Sequence, residues 1–258
     1  MNTAIVYIDA LNLYYGAVRR TDNKWLDVGR WARSLVPDCE VTKVRYFTAR
    51  IKQRDPSDRA RDRQNVYLRA LEADPLMDVT YGHFRSDPRW KAIAEEAETR
   101  HGGLFRPPLV PADLAARVLA ESRSSRSTLW QEVLVLVEEE KGSDVNLGVH
   151  LIHDVLSGGC QTAVVVTNDS DLEEAVRLAS QHVEVVVVNP SSAPTNARLL
   201  RHAAREIPFQ AASLADFHLP SVVRARNGRE LHRPREWRKM PEGPLVAGPP
   251  GPSDDADG

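Results

Sequence analysis

Residues 163–180 read AVVVTNDSDLEEAVRLAS, and the fold turns on how this stretch is read. The run from Ala163 to Thr167 is apolar without alternation, a polar turn follows at Asn168–Asp171, and Leu172, Ala175, Val176 and Ala179 then recur at helical spacing. A strand apolar on both faces that passes at once into an amphipathic helix belongs to a parallel sheet covered by helices on both sides.

The same alternation extends outward. Downstream, Glu184–Val188 reads as another buried strand and Thr195–Ala204 as a helix. Upstream, EVLVLVEEE from Glu132 is strand-like and leads into KGSDVNLGVHLIHDVLSGG. There Val145, Val149, Ile152 and Leu156 share one helical face, and Leu147, Leu151 and Val155 share an adjacent one. A helix apolar over so wide an arc is expected to pack on a sheet and against neighbours.

At the amino end, Ala4–Ile8 is a strand ending at Asp9, and Leu11, Tyr14, Tyr15 and Val18 begin a helix. A helix over Gly29–Leu35, a strand over Glu40–Ile51, a charged helix over Ser57–Glu72 and a strand over Met77–Phe84 follow. Arg89–Arg100 and Asp113–Glu121 read as helices around the Gly- and Pro-bearing stretch His101–Pro111. The expectation is a three-layer α/β/α sandwich with a central, mostly parallel sheet. It spans residues 1–220, carries a helical insertion at 85–130 on its surface, and continues into a basic extension at 221–240. A disordered Pro/Gly/Asp tail is expected at 241–258.

Composition narrows the function. A hydrophobic content of 42% supports a real core, and the net charge of −2 does not by itself announce a polyanion partner. Of the 34 basic residues most are arginine, which suits phosphate and base contacts and equally suits a GC-rich genome. Cys39 and Cys160 are too few and too distant for a disulfide framework or a zinc site. The amino terminus carries no secretory pattern and no window approaches a membrane span, so the expectation is a cytoplasmic protein without a membrane partner.

Sites of parallel sheets lie beyond the carboxyl ends of the strands. The chemistry is therefore expected just after the runs ending at Ile8, Val137 and Thr167. Asp9 follows the first of these, with Asn12 one turn on; Asp144 lies in the first turn after the second; Asp169 and Asp171 share the turn after the third. Clustered carboxylates repel, and a divalent cation resolves the conflict. Mg²⁺ or Mn²⁺ held by Asp9, Asp144, Asp169 and Asp171 would activate water for phosphodiester hydrolysis, with Asn12 orienting substrate or a bound water. Taken singly, each acid also reads as a helix cap or a first-turn acid. Lys141 reads either as a phosphate contact or as a solvated turn residue.

The segments YIDALNLYY, VEEEKGSDVNLGVHLIHD and VVVTNDSDLEEAVRL resemble the three signature segments of the NYN domain family, LabA-like branch. YFTAR at Tyr46–Arg50 and FHLP at Phe217–Pro220 add to the likeness, which runs from about Ala4 to Pro220. That family is similar to PIN nucleases in fold, and the resemblance implies a metal-dependent ribonuclease with RNA as partner. The carry-over falls on Asp9, Asn12, Asp144, Asp169 and Asp171. The length of the Arg85–Trp130 segment departs from the pattern.

Lys52, Arg54, Arg59, Arg61 and Arg63 cluster after the second strand, where a phosphate backbone could run past the acids; Asp55, Asp58 and Asp62 interleave with them. From Arg224 to Lys239 seven basic residues stand against Glu230 and Glu236, 7 − 2 = +5, and Trp237 adds a stacking group. Asp-Ala-Leu-Asn at residues 9–12 is not the glycine fingerprint of a dinucleotide site, so no small-molecule cofactor is expected. A non-catalytic RNA-binding module stays open as an alternative, as do a toxin or phage-defence role and a homo-oligomer.

Overall fold

The computed structural model describes residues 1–52, 57–92, 97–98, 104–105, 123–124 and 131–237. The chain divides into two units, Met1–Gly82 with Gly142–Gly258, and His83–Lys141. Arg54, the 113–121 helix and the 241–258 tail of the sequence reading lie outside the described residues.

The first unit is built on six parallel strands: β1 (Asn2–Asp9), β2 (Cys39–Ala49), the opening residues of β3 (Met77–Ala92), β8 (Thr162–Val166), β9 (Glu184–Val188) and β10 (Arg205–Glu206). Their order is β10-β9-β8-β1-β2-β3. The chain first builds from β1 towards β3 and later returns to the other side of β1. The topological switch point therefore falls between β1 and β8, and sheets of this kind place their sites beyond the strand ends there.

The pleat sends Ala4, Val6, Ile8, Val164, Val166, Val186 and Val188 to one face. They pack there with Leu13 of α1 (Ala10–Leu13), with Val28, Trp31 and Ala32 of α2 (Val28–Leu35), and with Leu68 and Leu71 of α3 (Ala60–Leu71). Ile5, Tyr7, Phe47, Val165 and Val187 face the other way, against α4 (Ser143–Leu156), α5 (Glu173–Ala179) and α6 (Ala197–Leu200). The result is the expected three-layer α/β/α sandwich. The Thr195–Ala204 stretch shortens to the single turn of α6.

Among the described residues the two apolar faces of α4 are covered unequally, with Ile152 half-buried against the sheet-side cluster. Leu147, Leu151 and Val155 are buried on the sheet, whereas Val145, Val149 and Leu156 are exposed. The helix is held by its sheet side, and no neighbour among the described residues covers those three residues.

In the second unit the later residues of β3 pair antiparallel with β7 (Gln131–Lys141), in register from His83↔Lys141 to Ala92↔Glu132. The remaining strands are β4 (Ala97–Glu98), β5 (Leu104–Phe105) and β6 (Arg123–Ser124). The stretch read as a helix from Arg89 is strand at 89–92 and 97–98. The run at Val133–Val137, read as a parallel strand, is an antiparallel ribbon with Leu134 and Leu136 exposed. An apolar run carries no information about strand direction, so pattern alone could not distinguish the two.

The basic extension folds back on the first unit. β11 (Val222–Arg224) and β12 (Glu230–His232) form a hairpin, and Ala225 and Leu231 pack with Trp25 and Ala70. Trp237 stacks within this cluster, 6.4 Å from Trp25 and 5.9 Å from Tyr67 between ring centroids. No helix among the described residues is long and apolar enough to cross a membrane.

Candidate functional site

Three loops meet beyond the carboxyl ends of β1, β8 and β9, and hydrogen bonds tie them together. Asp9 ends β1 and is 3% exposed. Its Oδ1 accepts from the Leu11 and Asn12 amides at 3.1 and 3.0 Å, capping α1. Its Oδ2 accepts from Asn12 Nδ2 at 2.8 Å and from Thr167 Oγ1 at 3.1 Å. Thr167 also accepts from the Asp169 amide at 3.1 Å, so one hydroxyl bridges the switch point and shapes the next turn.

The Asn168 amide donates to Asn12 Oδ1 at 3.3 Å, and Asn168 Oδ1 accepts from the Asn196 amide at 2.7 Å. Asp169 caps its own turn by accepting from the Asp171 amide. Behind this rim, Gly16 lies against the loop after β9, where a Cβ would stand 2.7 Å from the Pro190 carbonyl oxygen.

Burial raises the Asp9 pKa; hydrogen bonds from Asn12 and Thr167 pull the other way, and the nearby Asp169 carboxylate adds to the rise. A carboxylate has about four lone-pair positions, and four protein donors fill those of Asp9. Asp9 is thus engaged as a cap and a bridge rather than presented to a cation. Among the described residues no group of three or more His, Cys, Asp or Glu side chains could hold a metal ion.

The structure therefore gathers Asp9, Asn12, Asp169 and Asp171 at one rim, while the Mg²⁺ or Mn²⁺ centre expected from them does not form. Asp144 sits in the first turn of α4, after Gly142 with φ +94°, and joins no metal-holding group with them. The sequence signal misled because an acid at a strand end serves equally as a helix cap. Geometry separates the two uses.

The proposed phosphate-contacting cations are mostly occupied. Arg59 pairs with Asp62 at 2.9 Å, and Arg63 with Glu236 at 3.1 Å and Asp58 at 3.4 Å. In the second unit, Lys141 pairs with Glu139 at 3.0 Å. Arg61 is exposed on α3 and Lys52 is exposed after β2.

A second polar centre escaped the sequence reading. Tyr7, Arg45 and Asp78 are lateral neighbours on β1, β2 and β3 and share the α4 face. Asp154 comes down from α4 between them. Arg45 donates Nε and Nη2 to its two oxygens at 2.5 and 2.7 Å, Tyr7 Oη donates at 3.0 Å, and Arg45 Nη1 reaches Asp78 at 2.6 Å. Burial opposes the Asp154 charge, but the Arg45 fork and the Tyr7 hydroxyl hold its pKa below the ordinary carboxylate value. The Tyr7 phenol is pushed far up by burial. His150, packed on the Phe47 ring at 5.6 Å, is lowered by burial and by Arg45. The available signal was an arginine set among Val44, Tyr46 and Phe47 in the apolar half of β2.

The β1–α1 turn also excludes one ligand. A dinucleotide pyrophosphate needs free amides at the helix start and a close backbone approach. Here the amides of Leu11 and Asn12 are taken by the Asp9 carboxylate, so these residues do not fit that group.

No protein-family profile matches the chain. A solved structure of a protein of unknown function from Vibrio parahaemolyticus is similar with a TM-score of 0.43 and 15% identity, covering 84% of this chain and 96% of that one. Among curated proteins, the chain is 28% identical over 264 residues to the 6-hydroxy-3-succinoylpyridine 3-monooxygenase HspA of Pseudomonas putida, an alignment covering 92% of this chain and 76% of that protein. This likeness to an oxidoreductase, with the absence of a metal-holding group among the described residues, overturns the expectation of a Mg²⁺- or Mn²⁺-dependent ribonuclease.

Proposed function

We propose that the chain is a monooxygenase acting on a hydroxylated pyridine or a closely similar nitrogen heteroaromatic. The observation that carries this reading is the 28% identity maintained over 92% of the chain. The likeness to NYN-type, PIN-like domains is retained for the scaffold alone, since one α/β scaffold hosts unrelated chemistries.

The reaction places one atom of dioxygen on a ring carbon and reduces the other to water with two electrons and two protons. At carbon 3 of the relative's substrate, which bears the succinoyl arm and no hydrogen, the oxygen enters the ring–acyl C–C bond, and water then splits the resulting ester to the ring hydroxyl and the free acid. The electrons come from a reduced donor in solution, of the reduced-nicotinamide or reduced-flavin class. In this reading the rim supplies recognition. Asp169 is half-buried and Asp171 exposed, and their carboxylates accept the N–H or O–H of the ring. Asn12 is held on both sides, by Asp9 and by the Asn168 amide, and gives the rim a fixed amide. Asp9, whose oxygens accept from Asn12 and Thr167, holds both loops in place one hydrogen bond behind the surface.

The test incubates purified protein with 6-hydroxy-3-succinoylpyridine, a reduced donor and isotopically labelled dioxygen, and follows the product by mass spectrometry. One labelled oxygen atom in the product is expected, with the signal reduced by Asp169→Asn. Absence of labelled product with every donor class would end the proposal.

A further inference from the structure

We infer that Arg198 and Arg201 form an anion-binding subsite at the same rim, which selects substrates carrying a carboxylate arm; this rests on the monooxygenase reading above. The first observation is incomplete charge pairing. Arg198, Arg201 and His202 all approach one carboxylate, Glu173, at 3.8, 3.8 and 3.7 Å. These are charge contacts beyond hydrogen-bond length. Other arginines of the same unit are anchored much more tightly: Arg45 as described, Arg33 to Asp74 at 2.9 Å, and Arg177 by two bonds to Glu174 at 2.6 and 2.7 Å. Two guanidinium forks on one carboxylate leave a positive excess and free donors. The side chains of Arg198 and Arg201 are 65% and 68% exposed, so a ligand can reach them.

The second observation is where they are rooted. Asn196 caps the turn of α6 by accepting from the Arg198 amide at 3.0 Å, and its own amide donates to Asn168 Oδ1. Asn168 donates in turn to the Pro194 carbonyl at 3.2 Å. The backbone carrying Arg198 is therefore bonded directly to the turn carrying Asp169 and Asp171. Glu173, the shared counter-charge, follows Asp171 by two residues.

The rim is consequently polarised, with carboxylates on the β8 loop and under-paired guanidiniums on the loop after β9. A ligand with a proton-donating ring and an anionic arm matches both ends. Guanidinium takes a carboxylate by paired N–H···O bonds, the geometry that these two side chains leave unused. The substrate in the relative's name has this form, a hydroxypyridine bearing a succinoyl arm that ends in a carboxylate.

The deciding experiment is calorimetric titration of the full-length chain with 6-hydroxy-3-succinoylpyridine and, separately, with its methyl ester, which removes the negative charge and keeps the ring. The wild type is expected to bind the acid at least about tenfold more tightly than the ester, the scale of a charge-assisted hydrogen bond. That preference should shrink as salt is added. R198Q/R201Q should bind acid and ester alike, and Arg59→Gln should retain the wild-type preference.

Equal binding of acid and ester by the wild type, absence of acid binding, or an unchanged preference in R198Q/R201Q would overturn the subsite. The ester comparison needs no variant, so a folding defect cannot mimic that result. Product formation is scored separately. Arginine-dependent binding without labelled product would sink the monooxygenase reading and leave the subsite. Turnover of acid and ester with the same kcat/KM would leave that reading and sink the subsite.

Discussion

Two carboxylates are buried in this fold to nearly the same degree, Asp9 at 3% and Asp154 at 6% exposure, and their surroundings treat them in opposite ways. Asp154 meets a guanidinium in a two-pronged contact and its pKa falls. Asp9 meets only neutral donors, two amides of its own helix, one side-chain amide and one hydroxyl, and its pKa rises. A full opposite charge outweighs the desolvation penalty where neutral dipoles do not. The first arrangement holds charge in place and locks α4 to three strands. The second ties the loops after β1 and β8 together at the sheet's switch point.

The largest test of that contrast removes one half of the ion pair. Asp154→Ala strips the buried Arg45 of its two-pronged partner, leaving it the half-exposed Asp78 alone, and should cost about 3–5 kcal/mol in urea unfolding. Replacing both partners, as Arg45→Met with Asp154→Leu, should recover most of that loss, because the pair is expensive chiefly when half-broken. If the double replacement is no better than the single one, the network is more than an ion pair.

A pH series sharpens the same comparison. The lowered Asp154 pKa contributes stability that is present above the ordinary carboxylate pKa and is lost as pH falls through the lowered folded value. The raised Asp9 pKa has the opposite sign: its contribution is present below the ordinary value and is lost as pH rises through the folded one. The melting temperature of Asp154→Asn, measured against wild type, should show a deficit at neutral pH that narrows in acid. A deficit independent of pH would mean that the charge is not what matters.

Smaller effects probe the rim. Thr167→Val keeps the shape but removes the hydroxyl that donates to Asp9 and accepts from Asp169, for an expected cost of about 1–3 kcal/mol. It should also raise the Asp9 pKa further, read by carboxyl infrared titration; no shift would mean that the hydroxyl is not a material donor. Gly16→Ala forces the Pro190 loop to move, and overpacking of this kind costs about 1–3 kcal/mol. The smallest effect belongs to Arg59→Ala, an exposed pair on α3 that should cost less than about 1 kcal/mol and leave turnover intact. A large loss of turnover there would restore α3 as a substrate surface.

The amino-acid sequence by itself determined the layered α/β fold and the rim. Apolar runs such as Val164–Val166 and Val185–Val188, each followed by a helical repeat, leave a parallel sheet as the means of burying both faces. The positions of Asp9, Asn12, Asp169 and Asp171 at strand ends followed from the same pattern. Local order carried that information because strand period, helix period and turn residues are short-range.

Tertiary structure alone decided the rest. Whether Asp9 caps a helix or holds a cation depends on donors from Asn12 and Thr167, the latter 158 residues away in sequence. The direction of β7, the meeting of Arg45 with Asp154 and the sharing of Glu173 by two arginines are likewise long-range. A charge in a sequence shows only that it must be solvated or paired, and which of these happens is settled when the chain closes around it.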